Sequence, residues 1–536
     1  MKDISSGNLS PKKRELLELL LKQKNKKSSA EPESIPRRAE SSTAPVPWVQ
    51  RGLWFIEQHK PGISPYNIAA AYRLSGELKM NVLERALGEI IRRHEALRTS
   101  FSLAGGEPVQ VIAPPQAFVL PVADLRAIPV EARGSEALAL ATEEARLPFD
   151  LSRGPLMRTV LYQTDEQEFL LLIVLHHIIV DGLSMTVLFR EMSVLYTAFL
   201  AGAASPLTDP PLQYGDYAAW QLELLKGAGQ QDQLEFWKKQ LAVRPAFLEL
   251  PTDFSRPAVQ TFRGSRRTRK IDADLARKLE SLCKEKEVSL FMLLLAAFQA
   301  LLHRYSGQSC VIVGSPITGR TRTELEGIIG LFANMLPCRA DFSGEPAFTD
   351  LLQQVREFTL NAFSNADVPF QKLVEELKVE RDLSRTPIFQ AIFGLHKAGL
   401  EGPGFPGIVS RRVEIESFTA KFDLNMEILE ENQALTCVLE YSTSLWEPGT
   451  AERMVVHYEN LLRAVVSNPE ERVWKLPLQT AEEREQLVAR WNRNGSDYGR
   501  EQTVQALFEE QVARSPEAEA VVYGEEKISY GELNRR

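Results

Sequence analysis

Apolar positions are densest at Phe169–Leu175, an unbroken run that follows the turn-like Thr164-Asp165-Glu166. A run this short and this apolar predicts a buried β-strand. His176 and His177 come next, then Ile178-Ile179-Val180 and Asp181-Gly182. Beyond them Leu183, Val187, Leu188, Met192, Leu195 and Phe199 recur at helical spacing. His176, His177 and Asp181 therefore leave a core strand on a tight loop and enter a helix. Neighbours at a strand end point to opposite faces, so one histidine faces a cleft while the other packs inward. A lone histidine beside an apolar strand is ordinarily a hydrogen-bonded core residue; the string HHxxxDG is more specific than that.

The same patterning predicts further elements. Tyr66 to Gly76 reads as a strand ending in a turn, and Gln110-Val111-Ile112 as an edge strand. Asn81–His94 has helical spacing through Leu83, Leu87, Ile90 and Ile91, and Leu234–Leu241 is helical in character. Val288–Leu302 is a core helix, and Cys310–Pro316 is a β-branched strand. At the amino end Ser10-Pro11 opens a helix with an apolar Leu16–Leu21 face and a Lys22–Lys27 cluster at its negative end. Ser28 to Pro47 is rich in Ser, Glu, Pro and Arg and reads as a flexible linker.

Composition narrows the class. A chain of 536 residues with 44% hydrophobic and 25% charged residues has enough apolar sequence for a sizeable core. A net charge of −8 argues against a general nucleic-acid binder. Val288–Leu302 contains Ser289 and Gln299 and ends at His303-Arg304, short of a membrane span. No signal peptide opens the sequence. Cys283, Cys310, Cys338 and Cys437 make no CxxC pair and read as reduced thiols, which places the chain in the cytoplasm. Asn494-Gly495-Ser496 reads as a turn. HExxH, GxSxG and nucleotide-binding glycine loops are absent from the sequence, and no metal or bound cofactor is expected.

His176-His177 with Asp181-Gly182 resembles the active-site motif of nonribosomal peptide synthetase condensation domains, relatives of chloramphenicol acetyltransferase. Seven further segments resemble that family in order. Gln50-Arg51-Gly52-Leu53-Trp54-Phe55 is similar to its first motif, with Gly52 where arginine is usual. Arg93-His94-Glu95-Ala96-Leu97-Arg98-Thr99 follows the second, to which the family gives a mainly structural role; on physical grounds alone His94-Glu95 reads as a surface pair. Tyr214-Gly215-Asp216-Tyr217-Ala218-Ala219-Trp220 follows another, with aromatics expected in the core. Gly314-Ser315-Pro316 to Gly319-Arg320, Ile329-Gly330-Leu331-Phe332-Ala333-Asn334, Asn365–Phe370 and Arg381–Gln390 extend the series. The resemblance implies an α+β fold of two chloramphenicol acetyltransferase-like lobes in a V around a central active-site tunnel.

It also implies the chemistry: attack of an acceptor α-amine on a donor thioester to form an amide, both groups riding on phosphopantetheine arms delivered by carrier domains. His177 is then the catalytic histidine, His176 packs or hydrogen-bonds behind it, and Gly182 lets backbone approach the cleft. Asp181 is expected to bridge to Arg320 as a structural strut. An α-amine has a pKa of about 8 and histidine about 6.5, so His177 acts either as base or by holding the amine at attacking distance; the sequence is compatible with both. Competing readings are a starter domain that N-acylates with a fatty acyl group, a soluble-substrate acyltransferase, an epimerisation domain, and a non-catalytic recruitment platform. Heterocyclisation is disfavoured, because that group replaces the first histidines with aspartates.

The expected organisation is an amphipathic helix and linker over 1–44, an N-terminal lobe over 45–228, a C-terminal lobe over 229–480 and a linker over 481–502. Residues 503–536 resemble the start of an adenylation domain. Expected partners are a donor carrier acting in trans, a downstream acceptor carrier and the remainder of the adenylation domain, with neither nucleic acid nor membrane.

Overall fold

The apolar run becomes the middle of a sheet. In the computed structural model, which describes residues 34–39, 42–60, 62–380, 382–397, 402–431, 434–491 and 502–536, Glu168–His176 is a strand buried at every position after the first. The predicted helix after Ser10 and the Asn494–Ser496 turn lie outside the described residues. The chain divides into two units, Met1–Pro477 and Leu478–Arg536.

Strands of the larger unit are, in chain order, β1 (Thr43–Pro45), β2 (Asn67–Ser75), β3 (Thr99–Ala104), β4 (Glu107–Ile112), β5 (Val122–Asp124), β6 (Met157–Gln163) and β7 (Glu168–His176). They continue as β8 (Gly264–Ile271), β9 (Cys310–Ile317), β10 (Asn334–Asp341), β11 (Ala391–Lys397), β12 (Val409–Val413), β13 (Leu424–Glu431) and β14 (Ala434–Ser442). A five-stranded sheet has the order β12-β2-β7-β6-β5, and a six-stranded sheet the order β10-β9-β11-β13-β14-β8. β7 pairs antiparallel with β2 and β6, placing Asn67 opposite His176. β12, from the second half of the chain, completes the sheet of the first half by pairing antiparallel with β2. β7 lacks the apolar–polar alternation of a half-solvated strand because both of its faces are covered.

The helix after β7, Gly182–Leu200, buries Met185, Leu188, Met192, Leu195 and Tyr196. Among the described residues it is the one helix that by itself is long and apolar enough to cross a membrane; here it is a core element. In the second half the helix Leu290–Ser306, capped by the Ser289 side chain, is buried along most of its length.

Three expectations are corrected. The segment Ser28–Pro47 is not a flexible linker in its described part: Ile35 and Val46 are buried, and β1 pairs with β4. For that reason Gln110–Ile112 is no edge; β4 lies between β1 and β3 in a three-stranded sheet. His94 is not on the surface either. It is 1% exposed, its Nε2 lies 3.0 Å from Glu191 Oε2, and Arg93 Nε donates to the same oxygen at 3.1 Å. Burial alone would raise the Glu191 carboxyl, but hydrogen bonds from His94 and Arg93 hold it below the usual value.

The second unit holds a helix, Val504–Arg514, a two-stranded hairpin of Glu519–Tyr523 with Glu526–Ser529, and a short helix, Tyr530–Arg535.

The Arg93–His94–Glu191 cluster generates a stability prediction. Glu191→Ala strands a buried guanidinium and should cost about 3–5 kcal/mol of unfolding free energy in urea titrations. A loss under about 1 kcal/mol would mean the cluster is not what holds the helices Met80–Arg93 and Gly182–Leu200 together.

Candidate active site

At the end of β7 the two histidines separate. His176 stays in the sheet, 2% exposed, with its ring beside Phe149 and Tyr66 at 6.1 and 6.4 Å. Its Nδ1 accepts the Ile178 N–H at 3.1 Å, so its proton sits on Nε2. Burial, followed by the charges of His177 and Lys421, pushes it down to about 3. His177 is the one partly exposed residue between Phe169 and Asp181. Its N–H donates to the Tyr66 carbonyl at 2.8 Å, and its Nδ1 lies 2.7 Å from the Val180 carbonyl. A carbonyl only accepts, so Nδ1 carries the proton and Nε2 keeps a free lone pair. Burial and then Lys421 lower it to about 4, against smaller opposing pulls from Val180 and Asp181. His177 is therefore neutral at pH 7, an acceptor at Nε2.

Asp181 is fully engaged. It caps the helix Gly182–Leu200, its Oδ1 accepting from Ser184 N and Oγ at 2.8 and 2.7 Å. Oδ1 also accepts from Arg320 Nη2 at 3.0 Å, and Oδ2 from the Phe332 N–H at 3.1 Å. Arg320 Nη1 donates to the carbonyls of Leu325 and Ile328, and Nη2 to Ser184 Oγ at 2.9 Å. The guanidinium lies 4.0 Å over the Phe332 ring. Both side chains are nearly closed to solvent, at 2% and 4% exposed. Gly319 makes the approach possible: it has φ +62°, and a Cβ there would lie 1.8 Å from the Phe332 carbonyl oxygen.

A Cβ at Gly182 would meet no protein atom within 4 Å, so packing does not demand glycine there. The room lies in a cavity of about 1430 Å³ that Gly182 lines together with Thr186, Trp220, Ser315, Arg320 and Phe418. Both halves of the chain contribute to it, and it exceeds the roughly 300–1,000 Å³ of ordinary small-molecule pockets. Asp181 is in its wall; His177 is not among its lining residues. Tyr217 and Trp220, expected as core, are buried and also line this cavity.

Sequence reasoning misses three contributors. Gln50 is fully buried and donates from Nε2 to the Ile178 carbonyl at 2.7 Å, inside the HHxxxDG loop. Its place in the first motif is the available signal. Lys421 stands with Nζ 5.4 Å from the Tyr66 ring centroid, and burial lowers its pKa; nothing in its local sequence marks it. Phe332, under Arg320, belongs to a recognised segment that gives it no role. The clamp residues form no metal site: among the described residues no cluster of His, Cys, Asp and Glu has the arrangement to hold an ion.

The clamp and the histidines each lead to a prediction. Asp181→Ala and Arg320→Ala should each destabilise the fold by about 3–5 kcal/mol, and the double variant by clearly less than the sum; additive losses in denaturation would show that the pair is not coupled. For the histidines, folded-state values below the unfolded 6.5 mean the unfolded chain binds more protons in acid. Their stabilisation is thus complete above pH 6.5 and is lost as pH falls towards 4 and 3. His176→Asn should reduce the stability lost between pH 7 and pH 5 by on the order of 2 kcal/mol; an unchanged pH slope would refute the assignment.

Comparison with known proteins agrees with this geometry. The Condensation domain family matches residues 40–488. One component protein of the linear gramicidin synthase of Brevibacillus parabrevis is 41% identical over 97% of the chain, and another component of the same synthase is 44% identical over 92%. The chain spans about 10% of the length of each. Among solved structures, the X-domain from teicoplanin biosynthesis superposes with a TM-score of 0.78 at 26% identity, over 83% of this chain and 100% of that one. With these likenesses, a two-lobed chloramphenicol acetyltransferase-like fold and the HHxxxDG loop at the end of its central strand, the chain belongs to the condensation domain family of nonribosomal peptide synthetases.

Proposed function

We propose that this chain joins two carrier-bound groups, transferring a donor acyl or peptidyl thioester to the α-amine of an acceptor aminoacyl thioester. The observation that carries the reading is His177, a neutral imidazole held by Val180 with Nε2 free, in a family whose members form amides. His177 is the catalytic residue. Its Nε2 accepts a hydrogen bond from the attacking amine and holds the nitrogen at reacting distance. As the C–N bond forms, the nitrogen becomes positive and its N–H far more acidic than in a free ammonium. An imidazole lowered to about 4 is then basic enough to take that proton and pass it to the departing thiolate. Asp181, bound by Ser184, Arg320 and the Phe332 N–H, is a strut and not a base. His176 supports the loop from behind. Gly182 leaves space in the cavity for substrate.

In this reading phosphopantetheine arms arrive on partner carriers, the donor's on a separate polypeptide and the acceptor's downstream. The lobes span 45–228 and 229–480, a linker 481–502, and 503–536 resembles the start of an adenylation domain. The setting is the cytoplasm. The size of the cavity and its walls from both halves of the chain support entry of two long arms.

The test is a condensation assay with one aminoacyl-loaded donor carrier and one aminoacyl-loaded acceptor carrier, resolved by mass spectrometry. His177→Ala should retain the wild-type melting profile and lose turnover by roughly a hundredfold or more. Near-wild-type product from that variant would remove His177 from the chemistry. Wild-type protein that forms no amide with any loaded pair would favour the recruitment-platform reading.

A further inference from the structure

The described residues ahead of the first lobe helix are fastened to the fold at several points. Ile35 is 4% exposed, and its N–H donates to Glu324 Oε1 at 3.2 Å. Arg37 Nε donates to the Pro211 carbonyl at 2.7 Å. Arg38 donates to Asp216 Oδ1 from its backbone N–H at 3.1 Å and from Nη1 at 2.9 Å, while Nη2 pairs with Glu95. Its side chain is only 11% exposed. This seat depends on Gly215, where a Cβ would fall 2.5 Å from Arg38 Nη1 and 2.9 Å from Ala44 Cβ.

Both anchor points lead to the loop around Asp181. Glu324 belongs to that loop and adjoins Leu325, whose carbonyl accepts from Arg320. Asp216 closes the first turn of the helix Tyr214–Leu224, its Oδ2 accepting from Gln213 N–H at 2.9 Å. From that turn Tyr214 OH donates to the Leu331 carbonyl at 2.7 Å. The rings of Tyr214 and Tyr217 pack on Phe332 at centroid distances of 5.1 and 4.6 Å. Phe332 in turn lies under the Arg320 guanidinium and donates its N–H to Asp181.

We propose that Ile35–Arg38 is a positioning strap for the reaction site: Arg38, seated on Asp216 and Glu95, holds Tyr214 against Leu331 and thereby fixes residues 320–332 around Asp181. Arg38 touches no reacting atom and acts through Tyr214 and Phe332. The kinetic part of the inference rests on the condensation reading; the structural part rests on the contacts alone.

The test uses the full chain, with Arg38→Ala and Gly215→Ala as variants, the second leaving every charge in place while displacing the strap. Both should lower kcat in the two-carrier assay by roughly tenfold, the order expected for slight misplacement of a reacting group, with carrier KM values unchanged. Both should also speed hydrogen exchange at the amides of Gly330, which donates to Ser184 Oγ, and Phe332. If Arg38→Ala does not fold, Gly215→Ala carries the test. A rise in carrier KM with kcat unchanged would make the segment a docking surface and overturn the proposal. Unaltered exchange at both amides would overturn it as well. Should wild-type protein form no amide, the condensation reading falls, and the exchange measurement still decides the strap.

Discussion

The ion pair of Asp181 and Arg320 is the constraint around which this fold is arranged. Taking a carboxylate and a guanidinium out of water costs several kcal/mol per ion, and their attraction repays that only when the remaining hydrogen-bonding capacity is filled. Here the filling is nearly complete. Asp181 takes donors from Ser184, Arg320 and Phe332, and Arg320 gives to Asp181, Ser184, Leu325 and Ile328. Meeting that demand draws in a helix start, the 320–332 loop and the turn made possible by Gly319. The pair thus ties elements from widely separated parts of the chain, at the wall of the large cavity.

A clamp so fully bonded has a chemical consequence. Asp181 is held by four hydrogen bonds, three on Oδ1 and one on Oδ2, which fixes the start of the helix beside His177. The same tight turn that delivers Asp181 as a helix cap also brings the Val180 carbonyl onto Nδ1 of His177. One backbone conformation therefore fixes a tautomer and a helix start together. The low basicity of His177 comes from elsewhere, from burial and from Lys421. Placement and protonation state are set by different residues.

What is legible in the sequence is whatever depends on periodicity or on a compact string. The buried strand and the following helix follow from apolar spacing, and the bridge from Asp181 to Arg320 only from the resemblance of the Gly314–Arg320 segment to a family motif. The rest depends on single long-range contacts that leave no local pattern. Ser28–Pro47 has the composition of a linker, yet its described part is seated through Ile35, Arg37 and Arg38, whose partners Glu324, Pro211 and Asp216 lie far along the chain. The same blindness makes β4 read as an edge strand: whether a strand is an edge depends on which other segment comes to it. His94 reads as a surface residue because its partner, Glu191, lies on another helix. Lys421 is invisible for the same reason.

The electrostatics of the two histidines point to a division of labour that their adjacency in sequence conceals. Both are held neutral, yet the lone pair on Nδ1 of His176 is spent on the Ile178 N–H, whereas the corresponding nitrogen of His177 carries its proton to Val180. Opposite tautomers on adjacent residues follow from the strand end, where one side chain turns back beside the backbone that follows and the other turns towards a carbonyl one turn ahead. His176 thus stabilises the loop as an acceptor facing inward, and Nε2 of His177 is left with an unspent lone pair. Replacing either ring by a residue with the same size but the wrong donor–acceptor order would break the loop or empty the site. The doublet therefore needs histidine twice, for two unrelated reasons.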